Sequence, residues 1–96
     1  MVSEIWPFDQ PRNCAAISLK SVVFDSKPIL WVSHDKDHGW QFLDGEKCNL
    51  ADAAVISMEE IVKLDPSVLE IADLKPGFHA WRDTPSSRWQ RAPQKP

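Results

Sequence analysis

His34 and His38 stand four residues apart, with Asp35 and Asp37 between them. Imidazoles at this spacing beside carboxylates suit a divalent metal when they share one face of a helix. Here they follow an apolar run and end at Gly39, so the segment reads as a strand end and a polar loop. There is no glutamate after the first histidine of the HExxH kind, and a solvated turn accounts for such a loop without any metal. Cys14 and Cys48 raise a second chemistry, thiol attack with His79 or His34 as base. Nothing around either cysteine supplies a helix N-terminus or an oxyanion loop, which an activated thiolate needs. The chain has two cysteines and three glycines, the latter all at turns. That leaves no zinc knuckle, no disulfide scaffold and no phosphate-cradling loop in the pattern. The expectation is a protein that is not an enzyme, with no catalytic residue, no metal and no cofactor. Both cysteines are read as buried, reduced structural thiols.

The elements that position these residues follow from periodicity and turn chemistry. Residues 1–13 alternate poorly and hold Pro7 and Pro11, so they read as an extended arm anchored by Trp6 and Phe8. Cys14-Ala15-Ala16-Ile17-Ser18 reads as a buried strand, and Ser21-Val22-Val23-Phe24 as a short β-branched run stopped by Asp25 to Pro28. Ile29 to His34 is the clearest strand, and Trp40 to Leu43 follows the loop at 35–39. Asp44-Gly45 closes the second strand with a turn dipeptide. As a hairpin, His34 pairs with Trp40, Val32 with Phe42 and Trp31 with Leu43. Period two then puts Leu30, Val32, His34, Trp40 and Phe42 on one face and Ile29, Trp31, Ser33, Gln41 and Leu43 on the other. Both faces are rich in apolar groups, so helices cover one side or one side binds.

Residues 51–56 read as a further strand. Ser57-Met58-Glu59-Glu60 is a capping box opening a helix over 58–64, with Met58, Ile61 and Val62 on one face. Asp65-Pro66 ends it and starts a second helix, with Val68, Leu69, Ile71 and Ala72 as its apolar side. Lys75-Pro76-Gly77 stops that, and Phe78 to Arg82 alternates as a last strand. The fold expected is α+β, a small antiparallel or mixed sheet with two short helices packed on one face. A single domain spans 1–83, and 84–96 form a basic, Pro- and Ser-rich tail that is expected to fray unless Trp89 docks.

Composition narrows the function classes. Hydrophobic residues are 43% and charged residues 26% of the 96, an ordinary globular balance. No apolar run approaches about 18 residues, so no membrane span is expected. The N-terminus lacks a basic and apolar leader, so the cytoplasm is the expected location. A net charge of −3 argues against nucleic acid as partner. That charge is uneven: the body is acidic, while the tail carries Arg88, Arg91 and Lys95 and no acid. Five tryptophans are many for this length, and Trp favours interfaces. Trp40 and Trp81 read as core; for Trp6, Trp31 and Trp89, surface contact and core packing stay open. Arg82 either stacks on an aromatic ring or pairs with a carboxylate. The partner-binding candidates are Asp35, Asp37 and Asp44, in the loops at the two ends of strand 40–43, together with Trp31.

One ordered series of motifs goes further. Cys14 to Ser18, then Gly39-Trp40-Gln41-Phe42-Leu43-Asp44-Gly45, Asn49, Asp65-Pro66-Ser67, Pro76-Gly77 and Phe78 to Arg82 follow one another over residues 14–83. This series resembles the bacterial immunity protein thirty-three family of polymorphic-toxin immunity proteins. The link from Gly45 to Asp52 is shorter than in the family, and Ala80 stands where members often carry Phe. The resemblance implies a cytoplasmic protein that neutralises a toxin by binding it. It implies no catalytic residue, and makes Gly39, Trp40, Phe42, Gly45, Asp65, Pro66, Pro76, Gly77 and Arg82 fold determinants. A generic protein-interaction or regulatory module is the alternative, and it is compatible with a homodimer.

Overall fold

A computed structural model describes residues 6–46 and 50–94. Cys48 and Asn49 lie outside the described residues. The chain forms one mixed sheet of six strands: β1 (Ala15–Leu19), β2 (Trp31–His34), β3 (Trp40–Leu43), β4 (Ala53–Ser57), β5 (Phe78–Trp81) and β6 (Gln90–Pro93). Their order across the sheet is β4-β1-β3-β2-β5-β6. Neighbours pair antiparallel, except β1 and β3, which run parallel with Ile17 beside Gln41. The expected α+β class is the one observed, and the sheet is of the mixed kind.

The β2–β3 hairpin has the register that alternation predicts, with His34 opposite Trp40, Val32 opposite Phe42 and Trp31 opposite Leu43. Residues 29 and 30 precede β2, so alternation does not govern them. Ile29, expected on the face of Trp31, is buried in the core, and Leu30 is only half-buried. Gly45 closes the far end of β3 with φ +81°, a left-handed conformation that glycine adopts without steric cost.

Helix α2 (Met58–Leu64) starts where the capping box places it: the Ser57 hydroxyl accepts from the Glu60 N–H at 3.2 Å. Met58 and Ile61 face the sheet, fully buried. The second expected helix is a 3-10 segment, Pro66–Ile71, capped by the Asp65 carboxylate accepting from Ser67 N–H at 3.1 Å. Three residues per turn put Val68 and Ile71 together in the core and turn Leu69 outward, against its expected place on the apolar side.

Two other expectations are corrected. Residues 21–24, read as a β-branched strand, lie within a single turn of helix, α1 (Lys20–Phe24), closed by Asp25 N–H bonding the Ser21 carbonyl at 3.1 Å. Packing overrides β-propensity there, with Val22 buried and Phe24 left exposed. The end expected to fray unless Trp89 docks supplies β6: Trp89 packs against the core, and pairing with β5 satisfies backbone groups that would otherwise stay open.

One face of the sheet carries the core. Val32, Phe42, Trp40, Ala16 and Ala80 meet Met58, Ile61, Val68, Ile71 and Leu74 there. The arm closes one end of it: Phe8 packs edge-on to Trp40 at 5.2 Å, and Trp6 stands 5.3 Å from Phe8. Both anchors of the arm are thus the expected ones. Cys14 packs half-buried against this core, less deeply than a fully buried thiol.

Candidate partner-binding face

The opposite face has no helix over it among the described residues. Strand registers line up one continuous row of side chains across the whole sheet: Val55, Ile17, Gln41, Ser33, His79 and Ala92. A second row runs Leu43, Trp31, Trp81 and Gln90. Where the two rows meet, three aromatic rings form an array. Trp31 stacks on His79 at 4.5 Å and lies 6.1 Å from Trp81, and His79 is 5.3 Å from Trp81. All three are half-buried, and no helix among the described residues lies over them. Beside Trp31 a shallow recess is lined by Leu43, Gly45 and Glu46. Lys27 holds Glu46 there through a 2.7 Å ion pair, which raises the Lys27 pKa.

Trp31 therefore sits within the aromatic part of a face that no helix covers among the described residues. Trp81, read from the sequence as core, is on the same surface. Period two explains the correction, because Ala80 and Arg82 occupy the covered side and both are buried. Alternation over 78–82 puts His79 on the side of Trp81, but only the β2–β5 pairing brings it over Trp31.

The three aspartates differ. Asp37 is exposed and accepts from the Gly39 N–H at 3.0 Å. Asp35 is half-buried and accepts from Gln41 at 2.9 Å and Gln94 at 3.4 Å. Asp44, expected in an open loop, is buried. Its two oxygens accept from the Glu46 N–H at 3.0 Å and the Ser21 hydroxyl at 3.1 Å, pinning α1 to the end of β3. The structure places Asp35 and Asp37 together at one end of β3 and Asp44 at the other.

The residues weighed for catalysis and metal binding are apart. Cys14 precedes β1 and packs on the covered side, whereas His79 is on the open face of β5, with β3 and β2 between. His34 is buried; its Nδ1–H donates to the Leu74 carbonyl at 2.6 Å, and its ring stacks on Trp40 at 4.0 Å. His38 stands 6.1 Å away, ring to ring, on an exposed loop. Among the described residues no group of three or more His, Cys, Asp or Glu side chains is placed to hold a metal ion. No helix among them is long and apolar enough to cross a membrane.

Arg82, left open in the sequence between stacking and pairing, does both. Its guanidinium pairs with Asp65 at 2.7 Å and lies 4.2 Å over the ring of Trp89. Compared with known proteins, the chain matches no family model, no curated protein and no solved structure.

Proposed function

We propose that this chain is a non-enzymatic binding protein that neutralises a bacterial toxin in the cytoplasm by occupying it. The observation that carries the reading is the open sheet face, where Trp31, His79 and Trp81 form an aromatic array with no covering element among the described residues. Large aromatic groups in such a setting are the usual anchors of protein interfaces. Asp35 and Asp37 lie in the loop at one end of β3 and give the surface an acidic rim. A net charge of −3 favours a basic partner, and toxins that cut nucleic acid are commonly basic because they grip phosphates. The ordered motif series from Cys14 to Arg82, similar to toxin-immunity proteins, supports the same class.

The experiment pairs the chain with the toxin encoded beside its gene. Protection of growth on co-expression, with a complex on gel filtration, is the expected result. Protection that survives Trp31→Ala at full strength overturns the choice of face. If no neighbouring gene encodes a toxin and the chain protects against none, the generic interaction module is the better reading.

A further inference from the structure

The two edges of this sheet are built differently. At β6 the Gln94 N–H donates to the Gly77 carbonyl at 2.8 Å, so residues 90, 92 and 94 turn their backbone groups toward β5. Arg91 and Pro93 face outward. Pro93 has no N–H to offer, and Arg91 carries a charge held by Asp73 at 2.8 Å. Proline and charge are the devices that stop an edge from recruiting another strand.

At β4 the Met58 N–H donates to the Cys14 carbonyl at 2.8 Å, so the even-numbered residues bond to β1. Val55 points both its N–H and its C=O outward, and so do the Ala53 carbonyl and the Ser57 N–H; the Ala53 N–H closes the 3-10 turn Leu50–Asp52 and the Ser57 carbonyl opens α2. No strand among the described residues pairs with that side. The strand reads Ala-Ala-Val-Ile-Ser, with no charge, proline or glycine. Val55 is 68% exposed and Ile17, its cross-strand partner, 43%.

We propose that β4 pairs antiparallel with β4 of a second copy of this chain, about a two-fold axis at Val55. Val55 then faces its own counterpart, and Ala53 faces Ser57 of the other copy. Val55 exchanges both backbone hydrogen bonds with its counterpart, and each Ser57 N–H donates to the Ala53 carbonyl of the other copy. An isologous edge must oppose itself without like charges, and the uncharged β4 meets that condition. The exposed Ile17–Val55 row continues across the axis as one β-branched row on the open face. A second copy of β6 fails the same test, because Pro93 lacks a donor. The two-fold axis at β4 leaves Trp31 and its recess free, so the pairing is independent of the toxin-binding reading.

Sedimentation equilibrium across a concentration series tests it, together with variants. A strand pair of this length is a small interface, so the dimer is expected to appear at about 10–500 µM. The mass should rise toward twice the 10.9 kDa of one chain. Val55→Lys places like charges at the axis, and Val55→Pro removes an outward N–H without touching the β1 ladder. Both should stay monomeric throughout, with Val55→Lys melting as the parent does, while Trp31→Ala should dimerise normally. A parent chain that is monomeric to about 1 mM overturns the proposal. So does a dimer that persists in folded Val55→Lys, or one that only Trp31→Ala dissolves.

Discussion

The carboxylate of Asp65 caps the 3-10 segment with one oxygen and holds the guanidinium of Arg82 with the other, 2.7 Å away. Arg82 lies just beyond β5 and its side chain is only 2% exposed. Its remaining donors reach the Ile29 carbonyl, the Ser67 hydroxyl at 2.8 Å and the Pro85 carbonyl at 3.0 Å. One planar cation thus ties the helical layer, the entry to β2 and the turn toward β6 together.

Losing Asp65 leaves the buried Arg82 charge without its counterpart, and losing Arg82 leaves the half-buried Asp65 carboxylate without its own. Arg82→Ala and Asp65→Ala are each expected to lose about 3 kcal/mol or more. Arg82→Lys should recover less than half, because an ammonium cannot reproduce the fork. Urea denaturation of the three variants measures this, and an Arg82→Lys protein as stable as the parent would contradict it.

Phe42, on β3, is fully buried in the core. Phe42→Ala should lose about 3–5 kcal/mol, a large part of the total for a small domain, and leave the protein largely unfolded at 37 °C. Circular dichroism on heating reads the outcome directly.

Ending the chain at Asp83 removes β6 and the Trp89 ring over Arg82. The loss should be about 2 kcal/mol or more, which lowers Tm by roughly 10 °C in a domain of this size. Calorimetry of the shortened chain checks this. An unchanged Tm would return residues 84–96 to the role of a dispensable tail.

For partner binding, Trp31→Ala should weaken affinity by about 30-fold or more while costing little stability, since the ring is half-exposed. Asp35→Asn with Asp37→Asn should slow association and flatten its salt dependence. Asp44→Asn should act on melting temperature instead, because both carboxylate oxygens serve internal bonds. Stopped-flow association at two ionic strengths, beside thermal melts, separates the three.

What could be read from the sequence was local. The hairpin register, the Ser57 cap and the Asp65 cap each depend on residues a few positions apart, and each is where the pattern puts it. The core face of β2 and β3 followed from period two. What could not be read depends on partners far along the chain. Residues 90–93 have the composition of a frayed end, yet β5 offers them a ladder. Trp81 looks like core until Ala80 and Arg82 take the covered side. His79 has no meaning as a contact residue until β5 lies beside β2. The candidate site was legible in Trp31 and in the acidic loop, and illegible in the aromatic array that surrounds Trp31.

The parallel contact between β1 and β3 also governs how the chain can assemble. β1 is made first, yet both of its neighbours in the sheet come later, β3 from residue 40 and β4 from residue 53. Only the β2–β3 and β5–β6 pairings are short-range, each joining consecutive strands. Every other pairing must close a longer loop before it gains anything, which slows folding and makes it a property of nearly the whole chain. During synthesis the first half of the protein already holds β1, β2 and β3, half of the sheet. The side of β1 that β4 will cover is open until residue 53 onward is made, the interval in which self-association is most exposed to kinetic error.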